Sequence, residues 1–383
     1  MSETRFVNAR VVTADADFIG GVVFVDGRIV AAEPNLAATP AAEDLEGDFL
    51  VPGMIDIHTD NLERHYSPRP GSHSNPLAAA LAHDGQMATA GITTIFDSLS
   101  LHGEKQGIHR GDALAPMISG VMRATEENIL RADHFIHLRC EVSNAKVMEM
   151  LEPHLDNPLV KLLSVMDHTP GQRQYRNFGV EDLRPLLQAD GRSAGEIEEL
   201  LGEWTRDDLA DTVLANRAGV ILAARDRNIP IASHDDETID QVIEAAIDGI
   251  SISEFPVTIE AAKEARRQGL SVFMGAPNLV RGGSHAGNIS VKDIALAGCL
   301  DGMASDYIPI SMLRAAFLLT EAPFNMPLSR AIATVTLNPA HAVGLFDRGE
   351  IAPGKRADLV RVSLLSDGFP VVRGVWREGQ RVA

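Results

Sequence analysis

Apolar segments that alternate with helical stretches predict an α/β chain folded as a (β/α)8 TIM-like barrel. β-type sequence at both termini adds a small β-sandwich domain built from the two chain ends. The third observation is chemical: nearly every apolar segment in the middle of the chain stops on a side chain that can bind a metal or move a proton. At 383 residues the chain suits one large domain with a small companion. The expected division is 1–50 with 345–383 for the small domain and 51–344 for the barrel.

The first strands are read over Arg5 to Thr13, Gly21 to Val25 and Arg28 to Ala32, the last two joined by the hairpin dipeptide Asp26-Gly27. The same texture returns over Ala357 to Ser363 and Val371 to Arg377, bracketed by Pro353-Gly354 and Glu378-Gly379. Between them, strands are expected to end near His58, Asp97, Glu141, Asp167-His168, His234, Glu254, Met274 and Asp306. Eight strands close a barrel, and barrel chemistry sits at their carboxyl ends. The long excursion from Thr169 to Asn228, with a helical run over Ser193 to Arg227, is expected to form a lid or a subunit contact of a homo-oligomer.

Composition narrows the function. With 45% hydrophobic and 5% aromatic residues the core is aliphatic. A formal charge of −19 with no offsetting basic stripe argues against a nucleic-acid partner, and a polyanionic substrate would need cations gathered locally. The two cysteines, Cys140 and Cys299, are too few for a disulfide framework and fit a reducing cytoplasm. Met1 to Asn8 lacks a basic stretch followed by an apolar one, and no apolar run is long enough to cross a bilayer, so no membrane partner is expected.

His58-x-Asp60 closes an apolar strand, and spacing i, i+2 puts both side chains on one side of the pleat. With Glu141, His168, His234 and Asp306 they supply nitrogen and oxygen donors for one or two divalent metal ions, Zn, Mn or similar. Asp235 and Asp236 are expected to orient these ligands. A lone histidine is more often a satisfied polar group, so His102, His109, His134, His154 and His341 are expected to be exposed or helix-associated. His65, His73 and His83 stand near the first loop.

The run Val51-Pro52-Gly53-Met54-Ile55-Asp56-Ile57-His58, together with Asn338-Pro339-Ala340 and Gly349 through Val360, resembles the amidohydrolase superfamily. The resemblance covers essentially the whole chain. It implies a barrel with metal ligands at strand ends and a last-strand aspartate, Asp306, that takes a proton from water. The chain departs from the commonest pattern in having His58-x-Asp60 for His-x-His, Glu141 as a bridging carboxylate where many members carry a lysine, and Glu254 in place of a late histidine. Glu254 is therefore a further candidate ligand.

Within the superfamily, His58-Thr59-Asp60-Asn61-Leu62-Glu63, Ser67-Pro68-Arg69-Pro70, Met166 through Gln174, Ala232 through Asp236, Gly275 through His285 and Ser305-Asp306-Tyr307 resemble a phosphonate-utilising, triphosphate-hydrolysing branch. That implies a hydrolase acting on a phosphoric anhydride, which releases pyrophosphate from a ribose 5-triphosphate bearing a 1-methylphosphonate. Such a substrate needs anion-binding groups, expected at Arg69, Arg173, Arg281, Gly282, Gly283, Ser284 and His285. The alternatives are an enzyme cleaving a cyclic amide or N-acyl bond, which the arginines oppose, and a non-catalytic binding protein, which the near-complete ligand set opposes.

Overall fold

The structure is a computed structural model that describes residues 3–69, 71–102, 104–105, 108–189, 192–283 and 288–383. Eight parallel strands form the barrel: β1 Met54–Thr59, β2 Ile92–Leu101, β3 Asp133–Glu141, β4 Val160–Met166, β5 Ile231–His234, β6 Ile252–Glu254, β7 Ser271–Gly275 and β8 Gly302–Ala304. Each pairs with its sequence neighbour in the sheet, and a parallel bridge between Thr59 and Asp306 joins the last strand to the first. The ends of β1, β3, β5 and β6 fall on or beside the expected residues. Asp97 differs: β2 continues to Leu101, so this aspartate lies inside the strand.

The strands are buried on both sides, as parallel strands under a helical layer must be. Ile55, Ile57, Phe96, Leu162, Ala232, Ile252, Phe273 and Ala304 cluster as one core, while Ile95, Leu99, Ile136, Leu138 and Cys140 join a larger core that includes the helices. Packing in the smaller core is tight enough to dictate a glycine. A Cβ on Gly302 would stand 2.1 Å from the Phe273 ring, so β8 can pass that ring only without a side chain.

The chain ends form one mixed sheet. Its strand order is Gln380–Arg381, Pro370–Arg377, Leu359–Leu364, Phe49–Pro52, Glu3–Val12, Asp17–Val25, Arg28–Pro34, with Glu43–Asp44 also paired to Glu3–Val12. A bridge from Arg28 to Arg356 folds this sheet back on itself around Phe6, Phe24, Leu50, Leu359 and Trp376, giving the sandwich. Phe49–Pro52 pairs on both edges within this sheet, and Gly53 then passes the chain to β1. Asp133, at the foot of β3, receives Arg348 at 2.5 Å and Arg356 at 2.6 Å, which pins the C-terminal segment to the barrel.

The excursion carries short turns at Arg173–Tyr175 and Glu181–Leu183 and helices at Arg184–Ala189, Ala194–Trp204 and Leu209–Asp226. The helical run expected from Ser193 is thus broken between Trp204 and Leu209. Ser193 and Glu196 form a capping box on the first of these pieces. Leu183, Leu187, Ile197, Leu200, Leu201 and Trp204 give the excursion its own core. No described helix is long and apolar enough to cross a membrane.

His134, expected to be exposed or helix-associated, and His83, expected near the first loop, are both buried in the layer between barrel and helices. His134 Nδ1 lies 2.8 Å from Asp97 Oδ2 and its Nε2 3.5 Å from Asp84, while His83 Nε2 lies 2.7 Å from the other Asp97 oxygen. His102 is buried as well, whereas His341 is exposed and His154 half-buried, and the side chain of His109 lies outside the described residues. Sequence missed this cluster because Asp97 was read as a strand end.

Burial alone would lower the pKa of His134, but the Asp97 and Asp84 charges more than offset it and raise it to about 9. A raised histidine stabilises the fold fully below its ordinary value of 6.5 and loses that contribution as pH climbs through about 9. His134→Ala should cost about 3 kcal/mol in urea unfolding at pH 7, because it strips a charge from a buried pair. The loss should shrink between pH 7 and 9.5; a pH-independent difference would mean that His134 is neutral in the folded protein.

Candidate metal centre and active-site cavity

At the carboxyl ends of the strands lies a cavity of about 390 Å³. His58, Asp60, Arg139, His168, His234, Asp235 and Asp306 line it. His58 Nδ1 sits 2.7 Å from Glu254 Oε1, and its Nε2 faces Asp60 Oδ1 at 3.6 Å. His168 is held in the same way: Nδ1 is 2.7 Å from Glu141 Oε2, the His168 N–H donates to Glu141 Oε1, and Nε2 lies 3.5 Å from Asp235 Oδ2. A carboxylate on one ring nitrogen fixes the ring and aims the other nitrogen, the usual support of a metal-binding imidazole. Glu141, expected to bridge metals, instead spends both oxygens on His168 and Ser143.

β3 contributes a residue that the sequence reading passed over. His137, Arg139 and Glu141 alternate inward while Ile136, Leu138 and Cys140 pack outward. His137 Nδ1 lies 3.1 Å from the Ile57 carbonyl, and burial pushes its pKa down to about 3, so the ring is neutral. Donation from Nδ1 leaves Nε2 as a bare lone pair, fully buried and without a hydrogen bond. Burial opposes ionisation of Glu254, but His58 and His137 more than offset it and hold the carboxyl down at about 2.

Turns after the strands place the remaining groups. Asp235, Phe255 and Asp306 have φ of 57°, 56° and 54°, left-handed conformations that cost roughly 1 kcal/mol or more each outside glycine. They follow β5, β6 and β8 and bend the chain across the cavity mouth. Asp306 is held by backbone hydrogen bonds of 2.9 Å with His58 and Asp60. Its pKa is raised, first by burial and then by the Asp60 charge.

Besides the His83, Asp97 and His134 cluster, three groups of donor atoms converge within 4.8 Å among the described residues: His58 with His137 and Glu254, His168 with His234 and Asp235, and His58 with Asp60 and Asp306. Buried His137 Nε2 lacks a hydrogen bond among the described residues, while His234 Nδ1 lies 2.8 Å from Asp235 Oδ2 and His234 Nε2 lies 3.7 Å from Glu254 Oε2. Unsatisfied polar atoms at this depth are costly unless a cation completes them. The mixed imidazole and carboxylate set fits a divalent metal ion.

Residues 49–382 match the model of the amidohydrolase family. The chain belongs to the amidohydrolase family. It is 38% identical over 384 aligned residues to the alpha-D-ribose 1-methylphosphonate 5-triphosphate diphosphatase of Escherichia coli K12, covering 98% of this chain and 99% of that one. Among solved structures, 5-methylcytosine deaminase from Klebsiella pneumoniae superposes with a TM-score of 0.66 at 16% identity, covering 99% of this chain and 98% of that one. N-acetyl-D-glucosamine-6-phosphate deacetylase from Mycobacterium smegmatis gives 0.63 at 17%, with full coverage of both chains. These structural likenesses speak to the fold alone.

In this amidohydrolase the arginines are distributed differently from the sequence expectation. Arg173 is buried with its NH1 on Asp236 Oδ1 at 2.6 Å and on the His234 carbonyl at 2.7 Å, so it braces β5. Asp236 also accepts from Ser233 and Ser253. Arg69 is exposed on the loop after Tyr66 and is not among the residues lining the cavity. The amides of Gly282 and Gly283 both point back to the Asn278 carbonyl, closing the helix Ala276–Arg281, and are spent there rather than on an anion. Ser284 and His285 lie outside the described residues.

Arg281 does reach the cavity, where its NH1 donates to the Tyr307 hydroxyl at 2.7 Å. Arg64 lies over the same ring at 5.6 Å, and Arg139 and Arg192 line the cavity too. Sequence order hid this grouping because β1, β7 and β8 meet only on barrel closure.

Replacing His137 with Phe keeps the ring volume and removes Nε2. Metal affinity, measured by elemental analysis after dialysis against graded chelator, should fall at least about tenfold while circular dichroism stays unchanged. Unaltered metal retention would exclude His137 from the centre.

Proposed function

We propose that this amidohydrolase cleaves the α–β phosphoanhydride of alpha-D-ribose 1-methylphosphonate 5-triphosphate, yielding pyrophosphate and the 5-phosphate, as a step in phosphonate breakdown. The observation that carries the reading is the end-to-end likeness to the Escherichia coli diphosphatase. The cavity supports it: an acidic chain gathers Arg64, Arg139, Arg192 and Arg281 around one opening, as a polyanionic substrate requires. A neutral amide gives no reason for that expenditure of positive charge. The buried free thiols Cys140 and Cys299 support a reducing, cytoplasmic setting.

His58, His137, His168 and His234, with Asp60, Asp235 and Asp306, are the groups that would hold one or two divalent cations. A cation bound there supplies Lewis-acid polarisation and makes water more acidic. The chain's own residues do the rest. Arg281 and Arg64, set by Tyr307, receive the outer phosphates at the rim. Asp306, half-buried and close to the ligands of β1, accepts the proton of the attacking water. Phe255, Met274 and the excursion residues Tyr175, Leu200 and Trp204 wall the cavity and exclude bulk water.

Phosphorus NMR of metal-replete protein with this triphosphate should show pyrophosphate and the 5-phosphate as the products. Orthophosphate release, or no turnover, would remove the proposal. Asp306→Asn should lower kcat by about 10²- to 10⁴-fold with KM little changed. If kcat survives that substitution, another group carries the proton.

A further inference from the structure

Arg139 sits between His137 and Glu141 on the inward stripe of β3, at the floor of the cavity. Its side chain keeps only 11% exposure, and NH1 donates to Asp60 Oδ1 at 2.8 Å. No other side-chain hydrogen bond of Arg139 forms among the described residues, and Nε is buried with no hydrogen-bond partner among them. Asp60, Glu254 and Asp306 are near enough to keep it charged. A guanidinium offers five donors in a rigid plane, and desolvating it for one bond to one carboxylate is a poor exchange. The side chain lines the cavity among the candidate metal-ligating groups, where a reacting phosphoryl group must enter.

Asp60 explains why the guanidinium stays there. In the pair His58-x-Asp60 it offers Oδ1 to Arg139, and its own backbone N–H is fixed on the Asp306 carbonyl at 2.9 Å. Asp60 is thus a positioning residue for a cation as well as a candidate ligand. That gives the Asp at this position a chemical purpose that an imidazole, neutral or cationic, would not serve.

We propose that Arg139 is a catalytic residue, a fixed guanidinium held by Asp60 that hydrogen-bonds the non-bridging oxygens of the attacked phosphorus as charge builds on them. The proposal rests on the phosphoanhydride reading. In the step, a water oxygen bonds to phosphorus and the α–β bridging P–O bond breaks. The electron pair leaves with pyrophosphate, and the water proton passes to Asp306. Arg139 makes and breaks no covalent bond; it stabilises the transition state more than the bound substrate.

The test compares wild type, Arg139→Ala and Arg139→Lys, each metal-replete, on the triphosphate, with kcat, KM, bound metal and melting temperature measured for all three. Arg139→Ala should lose about 10²- to 10⁴-fold in kcat with KM changed far less and metal content retained. Guanidinium at low millimolar concentration should restore part of that loss saturably. Arg139→Lys, which keeps charge but not the planar fork, should fall between the two and covers the case in which the alanine variant does not fold. An Arg139→Ala kcat within about threefold of wild type would overturn the proposal, as would activity lost only in step with metal. Wild type that releases no pyrophosphate removes the phosphoanhydride reading itself, whereas active wild type with an equally active Arg139→Ala removes only the role of Arg139.

Discussion

The seam between β8 and β1 is the constraint on which the site depends. The barrel closes there through two backbone hydrogen bonds, Asp60 N–H to the Asp306 carbonyl and Asp306 N–H to the His58 carbonyl, both 2.9 Å. Those three residues are also the ones whose side chains meet in the cavity. Closing the fold and assembling that corner of the site are therefore one event. Beneath the seam the buried Asp56 carboxylate accepts from the His58 and Ser305 amides, and burial raises its pKa to about 6 despite those bonds. A group kept this costly at the first and last strands trades stability for a fixed register, since a one-residue slip would carry every side chain to the opposite face.

The same economy appears in the imidazoles. Glu254 on β6 holds His58 on β1 across the barrel, and Glu141 on β3 holds His168 just past β4. Each carboxylate lies on a strand and is wholly buried, so each ring is located by regular backbone rather than by a loop. Desolvation opposes ionisation of both glutamates, but the neighbouring histidines more than offset it and keep their pKa values near 2. The charge on each acid is fixed before a metal arrives, which leaves the imidazole nitrogens facing the cavity as the adjustable part of the centre.

Strand ends were legible because they combine an apolar run with an abrupt ligand-type side chain, as at His58, Glu141 and His234. His137 and Arg139 were not. In His137-Leu138-Arg139-Cys140-Glu141 polar and apolar residues alternate, but only the last residue coincides with a strand end. Arg173 misled for the converse reason: sequence displays a guanidinium but not the carboxylate, Asp236, that consumes it from the next strand. Gly282 and Gly283 suggested an anion-binding loop, whereas their amides terminate a helix. In each case the deciding partner is remote along the chain. Local pattern locates the chemistry, and only the closed barrel apportions the hydrogen bonds.

That apportioning also bears on the excursion, which sequence presented equally as a lid or a subunit contact. Arg173 has φ of 48° and plants its guanidinium on the His234 carbonyl and on Asp236, both at β5. The wall bearing Tyr175, Leu200, Trp204 and Arg192 is thereby tied at its first turn to the strand that ends on His234. A segment anchored so close to the centre, with its own apolar core beyond the anchor, cannot swing as a whole without disturbing His234. Tyr175, Phe178 and Val180 pack on that core in turn, so anchor and wall are joined by continuous apolar contact. The break between Trp204 and Leu209 separates that core from the long helix packed against the barrel.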